Sequence, residues 1–169
     1  GEKMRIINCH IRDTNYVGTF ASAIELNIRP NPNGPGMIPS RNTLISHCTL
    51  ERCGRSLIGT HGFYDSLIQF CELRYAGFLT WDLGMTYGNN IAGGGSEFRY
   101  NHLHHNLAGS HNMGLYHDHG CKNIINHHNV VWGTNYAALK NNQYAMYLFW
   151  YKNTARCEGT QRGHAYGSA

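Results

Sequence analysis

The chain has 169 residues, of which 14% are charged and 12% aromatic, and carries a formal net charge of +4. That length suits one domain with its own core and is short for two, and a chain so aromatic and so sparsely charged is not expected to be disordered. No apolar run approaches the roughly 18 residues of a membrane span, and the 14 Lys and Arg are scattered without a zinc-finger, RNA-recognition or helix-turn-helix pattern, so neither a membrane nor a nucleic acid is an expected partner.

Taken from the start, residues 6–14 (IINCHIRDT) read as a short apolar strand, a Cys, then a second strand position two residues on. Residues 22–26 (SAIEL) give a further short strand, and 28–41 hold all four prolines and two glycines, which predicts an inserted loop. The first pattern then returns at 44–54 (LISHCTLERCG), followed by a strand in 56–62, and again at 67–77 (LIQFCELRYAG), followed by 78–84 (FLTWDLG). It recurs at 97–106 (EFRYNHLHHN), 124–133 (IINHHNVVWG) and 147–155 (YLFWYKNTA), with intervening strands at 114–120 (GLYHDHG) and 137–143 (AALKNNQ). Residues 156–169 read as a polar tail or a truncated further unit.

Superposing these six segments puts Cys9, Cys48, Cys71, Asn101, Asn129 and Asn153 in one column, with spacings of 39, 23, 30, 28 and 24 residues. Two positions later stand Ile11, Leu50, Leu73, Leu103 and Val131; three positions earlier stand Ile6, Ile45, Ile68 and Phe98, with Asn126 and Trp150 as departures. Repetition of this kind means that like residues stack over like at the roughly 4.8 Å spacing of neighbouring strands. An Asn at each bend can bond the neighbouring backbone, and a reduced Cys of similar girth continues the column. The fold class expected is all-β: a right-handed parallel β-helix of about six coils over 1–155, with a Cys/Asn ladder. A leucine-rich solenoid also uses a Cys/Asn column, but it needs several leucines at fixed positions per repeat.

The stretch YNHLHHN…GLYHDHGCKNIINHHNVVWG over 100–133 is similar to the right-handed β-helix proteins of the pectate-lyase-like superfamily, among them glycoside hydrolases and polysaccharide lyases. The resemblance covers 40–155, and 4–27 more weakly. It implies a secreted or periplasmic protein whose partner is a polysaccharide. Such proteins usually carry more coils and a cap, so it also implies that this chain belongs with a longer one, or with further copies of itself. Many unrelated reactions sit on this scaffold, so the reaction has to be argued from side chains.

Aligning the intervening strands on Gly62, Gly84 and Gly120 stacks Thr60, Asp82 and Asp118. Two carboxylates on adjacent strands would lie roughly 5 Å apart, the separation of a retaining glycosidase pair. Mutual repulsion would raise one pKa and supply the acid. Asp82, Asp118 and, beside them, His117 are therefore the candidate catalytic residues. Trp81, Tyr116 and Trp132 could stack on sugar faces, and Lys140 and His104 could touch substrate. The histidine spacings match no standard metal set, so no metal ligands are assigned and no cofactor is required, although stacked carboxylates would also suit Ca²⁺. Glycoside hydrolysis is the leading expectation, β-elimination on a uronic-acid polymer the alternative, and a structural or adhesive solenoid the non-catalytic one. An Asp beside a turn Gly also caps its own backbone, and carboxylates folded back onto turn amides would favour that last reading.

Overall fold

A computed structural model describes residues 2–31, 33–159 and, for the backbone, 165–167. Strands make up all the regular structure among them, and no helix occurs. Three six-stranded sheets account for most of the chain, and every pairing within them is parallel. The first sheet takes Arg5–Ile7, Leu44–Ser46, Leu67–Gln69, Ala92–Arg99, Lys122–His127 and Met146–Tyr151. The second takes His10–Thr14, Thr49–Cys53, Glu72–Ala76, His102–His104, Val130–Thr134 and Thr154–Cys157. The third takes Ile24–Glu25, Ile58–Gly59, Leu83–Gly88, Asn112–His117, Ala137–Asn141 and Ala165–Gly167. Stacked parallel sheets of this kind are compatible with a parallel β-helix.

The registers follow from which side chains can be buried together. In the second sheet Ile11 faces Leu50, Leu50 faces Leu73, Leu73 faces Leu103 and Leu103 faces Val131. In the first, Ile6, Ile45, Ile68, Phe98, Asn126 and Trp150 are successive partners. A slip by one residue would turn each row outward, which is why the pairing is so regular. Ile45, Leu50, Ile68, Leu73, Phe98 and Leu103 have no exposed surface, and each such side chain is worth about 1.5–3 kcal/mol in burial.

The bend between the first two sheets has its own chemistry. Asn8, His47, Phe70, Tyr100, His128 and Lys152 all have φ between 51° and 55°, a left-handed conformation that turns the chain through the corner. The next residue in each case is Cys9, Cys48, Cys71, Asn101, Asn129 or Asn153. Asn129 Oδ1 accepts from the backbone N–H and the side-chain amide of Asn101, at 3.1 and 3.0 Å, while its own amide donates to Phe98 O. Asn153 Oδ1 accepts from Asn129 in the same two ways, and Asn101 Oδ1 accepts from the backbone N–H of Cys71. Where Cys stands instead, the thiol donates to a carbonyl, as Cys48 does to Ser46 O and Cys71 to Gln69 O. All six cysteines are free, and all but Cys9 are buried.

Residues 28–41 contain a small antiparallel pair, Arg29–Pro30 against Met37–Ile38. After it, Ser40–Arg41 pairs in parallel with Phe63–Tyr64.

Candidate functional site

The third sheet decides the fate of the two aspartates. Leu83 faces Asn112, Gly84 faces Met113, Tyr87 faces Tyr116 and Gly88 faces His117. Asp82 therefore precedes its strand, with its N–H on Ser110 O, while Asp118 follows the neighbouring strand, with its N–H on Gly88 O. The stacked Asp82–Asp118 pair expected from the glycine alignment is not formed, and the geometry that suggested Ca²⁺ goes with it. The reason lies in the glycines themselves. Gly120 is a left-handed turn residue, φ 68°. Gly84 lies inside a strand, where a Cβ would come within 3.0 Å or less of Thr86 O, Gly114 O and Tyr116 Cβ. The same residue type serves two purposes, so matching the glycines set the register wrongly.

Asp118 is folded back onto protein donors. Its Oδ2 accepts from the Tyr87 hydroxyl, and its Oδ1 from the Asn142 amide and the His119 N–H, each at 2.8 Å. Burial pushes its carboxyl pKa up, but these hydrogen bonds outweigh burial and hold it below the ordinary value of 3.8. It is an ionised, saturated acceptor, and the raised pKa expected of a catalytic acid is absent. Conversely, burial and the nearby Asp118 raise the Tyr87 hydroxyl.

A depressed folded-state pKa contributes stability that is fully present above about pH 4 and lost as pH falls through the folded value. Asp118→Asn should therefore cost about 1–3 kcal/mol at pH 7, and the gap to the parent should close as pH falls from about 4 through the lowered folded value. Urea midpoints measured across that range test this; a gap independent of pH would mean that the charge of Asp118 does not matter.

His117 is a core residue and not a surface catalyst. It has no exposed surface, its Nε2 bonds Asn126 Oδ1 at 2.9 Å, and its ring lies between Phe98 and Trp150. Burial pushes its pKa down to about 4, so it is neutral near pH 7. The five expected substrate contacts also separate. Tyr116 and Lys140 are register partners on the third sheet, with the Lys140 ammonium 4.8 Å from the Tyr116 ring centroid, and both are nearly buried. His104 and Trp132 are partners on the second sheet, their rings stacked at 5.0 Å. Trp81, 66% exposed beside Asp82, shares a groove with Tyr87, whose ring packs on Tyr116 at 5.2 Å.

Trp81 and Asp82 line a groove of about 390 Å³ together with Thr19, Phe20, Arg55 and Tyr87. Short-range chemistry holds both of its banks. The side chain of Asn15 accepts from the N–H and hydroxyl of Thr19 and donates to the carbonyls of Thr19 and Ala21, which fixes the loop carrying Phe20. On the other bank the Leu79 N–H and the Thr80 hydroxyl both bond Gly54 O, next to Arg55. Arg55 itself is only 6% exposed. Its guanidinium lies 4.6 Å from the Phe20 ring centroid and 5.4 Å from that of Tyr87. Among the described residues it has no hydrogen-bond or ion-pair partner. A largely buried cation without an anionic partner is costly, and this one keeps its nitrogens within reach of the open groove.

No motif singles out Arg55, a lone Arg between a Gly and a Ser. Phe20 and Thr19 were hidden for the same reason: they sit in a loop outside the repeat. The chain matches no protein-family model, no curated protein and no solved structure.

Proposed function

We propose that the chain is a right-handed parallel β-helix of six coils, with a corner ladder running from Cys9 to Asn153, of the pectate-lyase-like kind. We further propose that it is a secreted or periplasmic protein that holds an acidic polysaccharide in the groove beside Trp81. The fixed order in which the chain enters its three parallel sheets supports the first statement. The carrying observation for the second is Arg55, a buried cation facing the groove between two aromatic rings. A carboxylate on a sugar would supply its missing bidentate partner, while Trp81 offers an apolar face to the ring.

Hydrolysis by two carboxylates has less support, since among the described residues Asp82 is the one aspartate lining the groove. β-Elimination at a uronate is the second reading, and the same Arg55 favours it: removing a proton next to a carboxylate requires that its charge be neutralised.

Affinity electrophoresis against a panel of neutral and uronic-acid polysaccharides tests the binding. Retardation by the acidic polymers is expected, with weaker retardation by neutral ones. Equal retardation by both would remove the acidic preference, and none at all would leave the structural solenoid as the better reading. Ultraviolet absorbance of unsaturated products would establish elimination; new reducing ends without it would establish hydrolysis.

A further inference from the structure

Two corners of the molecule carry almost the same set of side chains. On the second sheet, Glu72 faces His102 and Arg74 faces His104 across neighbouring strands. On the first sheet, Glu97 faces Ile125 and Arg99 faces His127 in the same manner. In both, the second histidine reaches its glutamate, His104 Nε2 to Glu72 Oε1 at 3.2 Å and His127 Nε2 to Glu97 Oε2 at 3.4 Å. In both, its Nδ1 meets the Nδ1 of the following histidine, at 2.6 Å for His105 and 2.7 Å for His128. A ring from the next strand covers each: Trp132 on His104 and Tyr151 on His127. Besides the covering ring, one position distinguishes the modules. Where the first sheet has Ile125, the second has His102.

That one difference completes a ligand set. His102 and His104 alternate onto one face of a strand, with ring centroids 4.4 Å apart. One ligating atom from each of Glu72, His102 and His104 lies within 4.8 Å of the others. The separation of 3.2 Å between Glu72 Oε1 and His104 Nε2 is close to the edge of a tetrahedron with metal bonds of about 2.0–2.2 Å. We propose that Glu72, His102 and His104 bind a first-row divalent ion of the Zn²⁺ class on the second sheet, a different sheet from the groove.

Two imidazoles and a carboxylate suit such an ion and not Ca²⁺, which takes oxygen ligands. The surrounding residues already orient the ligands. The His105 Nδ1 contact leaves Nε2 of His104 as the nitrogen turned to Glu72, as an outer partner of a metal-bound histidine does. The Trp132 indole donates to His102 Nε2 at 2.8 Å, so that nitrogen presents a lone pair, which the ion takes over. Arg74 also touches Glu72, at 3.3 Å, but its shorter bond is to Glu51, at 2.8 Å. It can stay with Glu51 when Glu72 turns to a metal. Three protein ligands at a sheet surface leave a fourth position for water.

Titration of the chain with Co²⁺, followed by visible d–d absorbance and by displacement with Zn²⁺, tests the site. One saturable equivalent is expected. His102→Ile and Glu72→Gln should each weaken it at least about tenfold. The twin module shows that Ile is accommodated at that position, and circular dichroism checks the fold. Ile125→His should create a second equivalent. The assignment is overturned if the parent chain shows no saturable binding, if His102→Ile binds as tightly as the parent, or if Ile125→His still takes up one ion.

Discussion

Asn129→Ala should lower the free energy of unfolding by about 3–5 kcal/mol, a large fraction of what a domain of this size has to lose. The side chain has no exposed surface, and removing its amide strands groups on two neighbouring strands. The Asn101 N–H loses its acceptor and Phe98 O loses its donor. Each orphaned buried group costs about 1–3 kcal/mol, and the small cavity adds to this. Asn153→Ala should cost less, because Asn153 is half-buried and water can reach its former partners. Asn129→Cys should fall in between. Cys48 at the corresponding bend donates its thiol to Ile6 O, the carbonyl equivalent to Phe98 O, and such a bond would answer one of the two orphans. Guanidinium denaturation of the three variants gives the ranking. A loss below about 1 kcal/mol for Asn129→Ala would mean that water restores these bonds and that the corner is not held by its asparagines.

The same corner shows why so much of the architecture was legible. The rows Ile6–Ile45–Ile68–Phe98 and Ile11–Leu50–Leu73–Leu103–Val131 were read from spacing alone, and they are the registers of the two sheets they lie in. Burial repeats in sequence because the strands repeat in space, so side chains that pack on one another announce themselves. Even the departures at Asn126 and Trp150 belong there: Asn126 is buried to receive His117, and Trp150 packs on that histidine's ring.

What spacing could not reveal were positions where one residue type answers different demands. Gly84 and Gly120 were matched as turn glycines, and the mismatch displaced Asp82 and Asp118 relative to each other. Alternation along HLHH at 102–105 puts His102 and His104 on the face opposite Leu103, but their carboxylate partner stands on another strand, thirty positions back in the chain. The rows already aligned Cys71 with Asn101, so the position after each column, Glu72 and His102, could have been paired from sequence. Arg55 had no such route. Its significance comes from what is missing around it, and a sequence does not state what fails to come near.

Arg55→Met should weaken binding of an acidic oligosaccharide about 100-fold, roughly 2.7 kcal/mol, while leaving the chain at least as stable as the parent. The two effects have opposite signs for one reason. In the free protein the Arg55 side chain is largely buried between Phe20 and Tyr87 without an anion, so folding bears part of its desolvation, softened by the two aromatic faces at about 0.5–2 kcal/mol each. Met has a comparable unbranched stem and fills the same gap between the rings without a charge to strip of water. An anionic ligand would return the lost interaction as a charge-assisted pair in a site already shielded from solvent, which is where such a pair is strongest. Neutral oligosaccharides, held by Trp81, should bind both forms alike. Calorimetry with matched neutral and acidic oligosaccharides, alongside thermal unfolding, separates the possibilities. A destabilised Arg55→Met with unchanged acidic binding would make Arg55 a packing residue and remove the acidic preference from the groove. Gained stability with lost binding is the signature of a charge kept for a ligand.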